Sequence, residues 1–228
     1  MCGRFTITLT IGLPERFGVT SSGLKIEPRY NIAPSQPIPV VTQTTGGERD
    51  LVEMVWGLIP SWTKDPATIR HAINARADTL AERPSFRQPL NNQRCLVPAN
   101  GFYEWKKSGK TSVPHYIHRK DDGLVAIAGL YDLWRSPDGT IKKTFVIVTT
   151  DPNTLVSRYH DRMPAILRPD DEETWLLPRP LDTSTLRAVL TTYPAEELEA
   201  YAVSRRVNDL ASEGKELIKK SEGETLLI

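Results

Sequence analysis

Eighteen prolines are scattered through 228 residues, and this spacing is the tightest constraint on what the chain can fold into. Proline lacks the backbone donor that a central strand or helix interior needs, so the spacing suits short strands broken by turns. Six runs are β-branched or aromatic and bounded by Gly, Pro or Asp: residues 51–56, 94–97, 113–117, 124–134, 144–150 and 201–207. Pro137-Asp138-Gly139 reads as a hairpin turn between two of them. Residues 170–177 begin with four acids, which fits a helix N-terminus, where negative charge meets the dipole, better than a metal site. Residues 183–191 and 211–219 are the other expected helices. Strands and helices mix without βαβ regularity, so the expected class is α+β: β-rich, with mixed or antiparallel strands and a few flanking helices. Repeats, low-complexity tracts and linkers are lacking, and a single domain over 1–228 is expected.

Two cysteines, Cys2 and Cys95, without a Cys-x-x-Cys, argue for a reducing compartment and against a disulfide framework. Neither a signal peptide nor a membrane-length apolar run is visible, so an intracellular protein, cytoplasmic or associated with the nucleoid, is expected. The formal charge is +1, but its distribution is uneven. Residues 1–120 hold 16 Lys and Arg against 9 Asp and Glu, while the remainder is net acidic. A basic first half offers a phosphate-binding face, unless folding mixes the halves into patchwork.

Some motifs fail on inspection. Ser108-Gly109-Lys110-Thr111 looks like the end of a P-loop, but Glu104 stands where that motif needs its first glycine. His115 and His118, three apart on a strand, face opposite sides and make no zinc pair. No Gly-x-Ser-x-Gly elbow is present.

The chain begins Met1-Cys2-Gly3-Arg4. Aminopeptidase removal of Met before a small residue leaves Cys2 with a free α-amine beside its thiol. These groups titrate at about 7.7–8.0 and about 8.5, so both are partly nucleophilic near neutrality. Such a 1,2-aminothiol attacks an aldehyde twice, by amine to an imine and by sulfur to a thiazolidine. For a bare Met-Cys, an ordinary second residue is the simpler reading. The clusters that change this are Met1-Cys2-Gly3-Arg4-Phe5, Arg29-Tyr30-Asn31-Ile32-Ala33-Pro34, Trp56-Gly57-Leu58-Ile59-Pro60-Ser61-Trp62, Asn74-Ala75-Arg76, Gly101-Phe102-Tyr103-Glu104-Trp105, His160-Asp161-Arg162-Met163-Pro164 and Val203-Ser204-Arg205-Arg206-Val207-Asn208. In this order and spacing they resemble the SRAP family, the SOS-response-associated "peptidases", from Cys2 to about Asn208. Asp78 departs from the Glu usual in that family after Asn-Ala-Arg.

The resemblance implies a β-rich α+β domain with a DNA groove leading to the N-terminus. It implies binding to single-stranded DNA and a thiazolidine cross-link between Cys2 and the ring-opened sugar of an abasic site, shielding the lesion. No cofactor or metal is implied, lyase-type and self-reversal activity come with the chemistry, and a monomer is expected. Cys2 is then the nucleophile, with ring closure aided by proximity. His160 does acid/base work on the sugar oxygen; without the resemblance it reads as a structural His bonded to Asp161 or the backbone. Glu104, between Tyr103 and Trp105, carries protons to and from the imine if burial raises its pKa; otherwise it is a strand Glu facing solvent or Lys106. Asn74 donates its amide to a sugar oxygen. Arg4 and Arg76 contact phosphates, with Arg162 on the same DNA face. Trp62 and Trp105 stack on bases or wedge beside the lesion, Trp56 belongs to the core, and Asn31 and Pro34 shape the DNA-binding loop around the site.

Three rivals stay open. A glutamine amidotransferase domain also starts Met-Cys-Gly and uses its freed amine as a base. A self-processing protease and a non-catalytic single-strand binder are the others.

Overall fold

The computed structural model describes residues 2–19, 23–44, 46–109 and 111–221. With strands numbered along the chain, one sheet contains β1 (Phe5–Ile7), β2 (Arg29–Ile32), β7 (Gly101–Ser108), β8 (Thr111–Arg119) and β13 (Leu198–Ala202). It is antiparallel throughout, in the order β13-β8-β7-β1-β2. The other contains β3 (Pro37–Gln43), β4 (Arg49–Trp56), β5 (Asn74–Arg76), β6 (Arg94–Ala99), β9 (Val125–Arg135), β10 (Ile141–Thr150), β11 (Met163–Pro164) and β12 (Ile166–Leu167). Its path β10-β4-β3-β6-β9 returns as β9 pairs with β10, so the strands close on themselves and their edges are used up. The helices are short: α1 (Leu13–Arg16), α2 (Pro84–Asn92), α3 (Pro169–Leu176) and α4 (Thr183–Val189). The α+β, β-rich expectation holds.

The closed sheet explains why its strands were visible in the sequence. Val125–Leu130 of β9 and Thr144–Thr150 of β10 are buried at every position, and strands covered on both faces read as continuous apolar runs. Gly129 sits where β9 passes closest to its neighbours. A Cβ there would come within 2.8 Å of the Cys95 sulfur, so Cys95 is a core residue filling the space that glycine leaves. Trp56 is fully buried, edge-on to Phe5 at 5.2 Å and stacked with Phe145 at 6.4 Å, which places it in the core as expected. Such aromatic pairs stabilise a core by about 0.5–1.5 kcal/mol beyond their burial. One hydrophobic cluster reaches from Cys2 and Phe5 to Trp175 and Leu198. A smaller one, on the far face of β7, gathers Tyr103, Tyr116, Val203, Val207 and Leu217.

The hairpin at Pro137-Asp138-Gly139 is present, closed by Ser136 N–H on the Thr140 carbonyl. The acid-rich start of 170–177 is helix α3, and its Glu172 is buried in a two-pronged ion pair with Arg16. Two expectations need correction. The run 201–207 is not a strand throughout: β13 ends at Ala202, and Arg205–Asn208 form a 3₁₀ turn capped by the Ser204 hydroxyl on Arg206 N–H. The helix expected over 211–219 shrinks to a 3₁₀ turn at Lys215–Ile218, because Gly214 at φ 114° turns the chain out of helical conformation. Strand β3 and helix α2 arise where prolines argued against regular structure. In β3, Pro37 and Pro39 are tolerated because β6 pairs with this strand only at Val41. Helix α2 starts with Pro84 at its first position, where the missing donor costs nothing. The apolar tail Leu226-Leu227-Ile228 lies outside the described residues.

Candidate active site

Strand β1 brings the chain's beginning to the junction of the two sheets. Tyr103 N–H donates to the Arg4 carbonyl, so the residues before β1 run alongside β7. Cys2 is completely buried there. Burial, with the charge of Glu104 adding, pushes its thiol far above the ordinary range. Asn74, the first residue of β5, donates its side-chain amide to the Cys2 carbonyl at 2.9 Å. That bond uses one of the two amide hydrogens and leaves the other for a second acceptor.

Glu104 sits on β7 and is 3% exposed. Successive strand residues point to opposite faces. Tyr103 and Trp105 therefore face the smaller cluster, while Phe102 and Glu104 face the main body. The aromatic neighbours do not bury Glu104; the packed junction around Cys2 does. Burial raises its carboxyl from 4.5 to about 7, with the nearby charge of Asp161 adding to the shift.

His160 follows the 3₁₀ turn Val156–Arg158 and is held by its N–H on the Val156 carbonyl. Its Nδ1 accepts from Arg162 N–H at 3.0 Å and lies 2.7 Å from Asp161 Oδ1. Burial lowers its pKa, and the Asp161 charge opposes that.

Arg4 is half-buried rather than free at the surface. One guanidinium nitrogen donates to Asn31 Oδ1 at 2.6 Å and to the Val207 carbonyl at 2.7 Å. The guanidinium lies over Trp105, 5.9 Å from the ring centre. Trp105 is fixed in turn by its indole N–H on Asn208 Oδ1 at 2.8 Å. Asn31, expected at the DNA, has no exposed surface. Its amide nitrogen lies 2.9 Å from the carbonyls of both Asp209 and Ser212, so it acts on Arg4 and the 3₁₀ turn. Pro34 is half-buried in the turn after β2.

Arg76 is exposed at the end of β5 and makes a two-pronged pair with Asp78 at 3.1 and 2.8 Å. The Asp78 substitution noted above is thus a partner of the arginine it follows. Arg162, expected to reach outward, is only 6% exposed; its guanidinium donates to Asp151 at 2.8 Å and to the Thr149 carbonyl at 2.5 Å. Trp62 is 61% exposed on a braced loop, with Ser61 N–H on Asp132 at 2.7 Å and Ile59 N–H on Thr144 at 2.9 Å. No hydrogen bond or ring contact among the described residues joins it to Cys2, Glu104 or His160. Sequence reasoning missed Asn208 and Asp151 as anchors of Trp105 and Arg162. Asn208 stands at the end of the last sequence cluster, but nothing marked which aromatic it holds.

His115 and His118 do face opposite ways: the first packs on Tyr159 at 4.6 Å, the second on Tyr116 and Tyr201. No cluster of His, Cys, Asp or Glu among the described residues could hold a metal, and none of their helices is long and apolar enough to cross a membrane.

A family model described as "SOS response associated peptidase (SRAP)" matches residues 1–210. The chain is 44% identical over 223 residues to a Bacillus subtilis protein named "Abasic site processing protein YoqW", covering 96% of this chain and 99% of that one. It is 32% identical to the chicken (Gallus gallus) "Abasic site processing protein HMCES", covering 85% of this chain and 66% of the relative. A crystal structure of a protein from Bacteroides thetaiotaomicron superposes with a TM-score of 0.86 at 30% identity, covering 97% of this chain and all of that one. With the family match running from the buried Cys2 through the 3₁₀ turn that braces Arg4 and Trp105, the chain belongs to the SOS response associated peptidase family.

Proposed function

We propose that this protein processes abasic sites in single-stranded DNA by forming a covalent cross-link through Cys2 after Met1 is removed. The observation that carries this reading is the setting of Cys2: its carbonyl is held by Asn74 and its thiol lies in the field of a buried glutamate with a pKa of about 7. The names of the bacterial and vertebrate relatives support the lesion as substrate.

The amine acts first, because the thiol is held protonated. His160 takes the proton of the anomeric hydroxyl and returns it to the ring oxygen as the sugar opens to its aldehyde. The α-amine adds to that carbon, and loss of water gives an imine. The sulfur then attacks the same carbon: a C–S bond forms, the C=N pair moves to nitrogen, and the thiol proton leaves to Glu104. Glu104 returns a proton to the nitrogen, completing the thiazolidine. A group with a pKa near ambient pH can both accept and donate, so the same carboxyl serves the reverse reaction. Asn74 positions Cys2 and offers its second N–H to a sugar oxygen. Arg4 and Arg76 hold flanking phosphates, while Trp105 and the exposed Trp62 stack on bases. A single strand is required because C1′ must be reachable without extruding the sugar from a duplex. The protein acts as a monomer, and no metal or cofactor enters the chemistry.

Intact mass spectrometry of untagged protein, mixed with single-stranded DNA carrying one abasic site, tests this reading. The expected product is an adduct mapped to the Cys2 peptide with Met1 absent. Cys2→Ala should abolish the adduct while binding persists. Absence of any adduct on wild-type protein that has already lost Met1 overturns the proposal, and glutaminase activity in its place would favour the amidotransferase reading.

A further inference from the structure

Asp161 has no task in the cross-linking steps, yet it stands among the groups that do. It follows His160 directly, its side chain is 88% exposed, and its Oδ1 lies 2.7 Å from His160 Nδ1. Besides burial, its charge acts on the Glu104 carboxyl, and besides Asp78 it acts on the Arg76 guanidinium. A carboxylate so placed repels the phosphate that Arg76 would hold, so DNA binding gives no reason for it.

The contacts at Nδ1 are alternatives. The Arg162 backbone N–H, 3.0 Å away, needs a lone pair there. The Asp161 carboxylate, which only accepts, needs a proton there. A neutral imidazole shares one proton between its two nitrogens. With Nδ1 accepting from Arg162, the proton sits on Nε2 and the ring's one lone pair is engaged. With Nδ1 donating to Asp161, Nε2 keeps a lone pair. The carboxylate contact is the shorter of the two. It is also charge-assisted, and such bonds are roughly twice as strong as neutral ones.

We propose that Asp161 is a positioning residue for His160: it holds the imidazole proton on Nδ1 and so keeps a base available to open the sugar. The proposal rests on the abasic-site reading. In that step Nε2 takes the proton of the anomeric hydroxyl. The carbonyl forms at C1′ as the bond from C1′ to the ring oxygen breaks, and that oxygen takes the proton back. Between the two transfers the imidazolium has a proton on each nitrogen, and Asp161 is its counter-charge.

The test compares two aldehydes in single-stranded DNA: an ordinary abasic site, closed as a hemiacetal, and an acyclic aldehyde linker that cannot close into a ring. Both share every later step, those of Glu104 included, so the ratio of their cross-linking rates reads sugar opening alone. His160→Ala and Asp161→Ala should each slow the abasic site relative to the acyclic aldehyde. For Asp161→Ala the expected split is roughly three- to fivefold, as an exposed ion pair allows. That variant should bind undamaged single-stranded DNA as tightly as wild type or more tightly, since a charge that repels phosphate is gone. Nitrogen NMR at about pH 8.5, above the histidine range, should find the His160 proton on Nδ1 in wild type and on Nε2 in Asp161→Ala. A split in His160→Ala that is absent from Asp161→Ala overturns the proposal and leaves the cross-linking reading standing. So does a wild-type proton on Nε2, or DNA binding by Asp161→Ala that falls in step with its rate. A split in neither variant removes sugar opening from His160 and overturns this proposal, while cross-linking stands. Failure of wild-type protein, with Met1 gone, to cross-link either aldehyde overturns the abasic-site reading and this proposal with it.

Discussion

Glu104 is the residue on which stability and chemistry pull in opposite directions. Its carboxyl rises from 4.5 to about 7 on folding because burial penalises its charged form. The contribution of such a group to stability is fully present below about pH 4.5 and is lost as pH climbs through about 7. Glu104→Gln keeps the shape and removes the charge, so at pH 8 the variant should be more stable than wild type by on the order of 3 kcal/mol, following about 1.36 kcal/mol per unit. Below pH 4.5 the two should melt alike. Thermal melts across this range check it, and a variant that is no more stable at pH 8 removes the burial argument. The same substitution should flatten the pH dependence of thiazolidine closure, which in wild type rises through about pH 7. The carboxylate is thus retained at a cost to the fold, as expected of a working group. What buries it could not be foreseen: only the strand assignment reveals that Tyr103 and Trp105 turn away from it and that it faces the junction around Cys2.

At the scale of elements, the 3₁₀ turn Arg205–Asn208 is the part most dependent on a single distant side chain. Asn31 reaches from β2 to the carbonyls that follow this turn and accepts from Arg4. Asn31→Ala leaves these buried groups unmet, at about 1–3 kcal/mol, and frees the turn that carries Asn208 under Trp105. Urea melts should show the loss, and cross-linking should slow more than with a surface substitution of equal destabilisation. Equal slowing would reduce Asn31 to a purely structural residue. This dependence was hidden in the sequence because Asn31 and Ser212 are 181 positions apart. By contrast, β9 and β10 were legible because enclosure on both faces writes itself as unbroken apolar residues. Strand β3 was not, since Pro37 and Pro39 look like breakers until the sparse pairing on one side is known. Arg162 shows the other limit. Residue type announces a charge, but only its partners Asp151 and Thr149 show that the charge is spent inwards.

For the whole molecule, the question is how many charges meet DNA. The first 120 residues carry the basic excess, yet Arg162 is buried against Asp151 and is not available to a phosphate. If Arg4 and Arg76 make the phosphate contacts, the log–log dependence of single-strand binding on salt should have a slope near −1.4, at about 0.7 per contact. Arg76→Ala should reduce it by about 0.7; a slope unchanged by that substitution means other groups hold the strand. The bond from Arg4 to the Val207 carbonyl spans 203 positions. A ribosome adds about 5–20 residues each second, so roughly 10–40 s pass between the emergence of one partner and the other. During that interval nothing from the last strand or its turn can brace the start of the chain. Once synthesis passes the turn, the Val207 carbonyl can fix the Arg4 guanidinium. The bracing of Arg4 is therefore timed by translation, and faster synthesis brings it sooner.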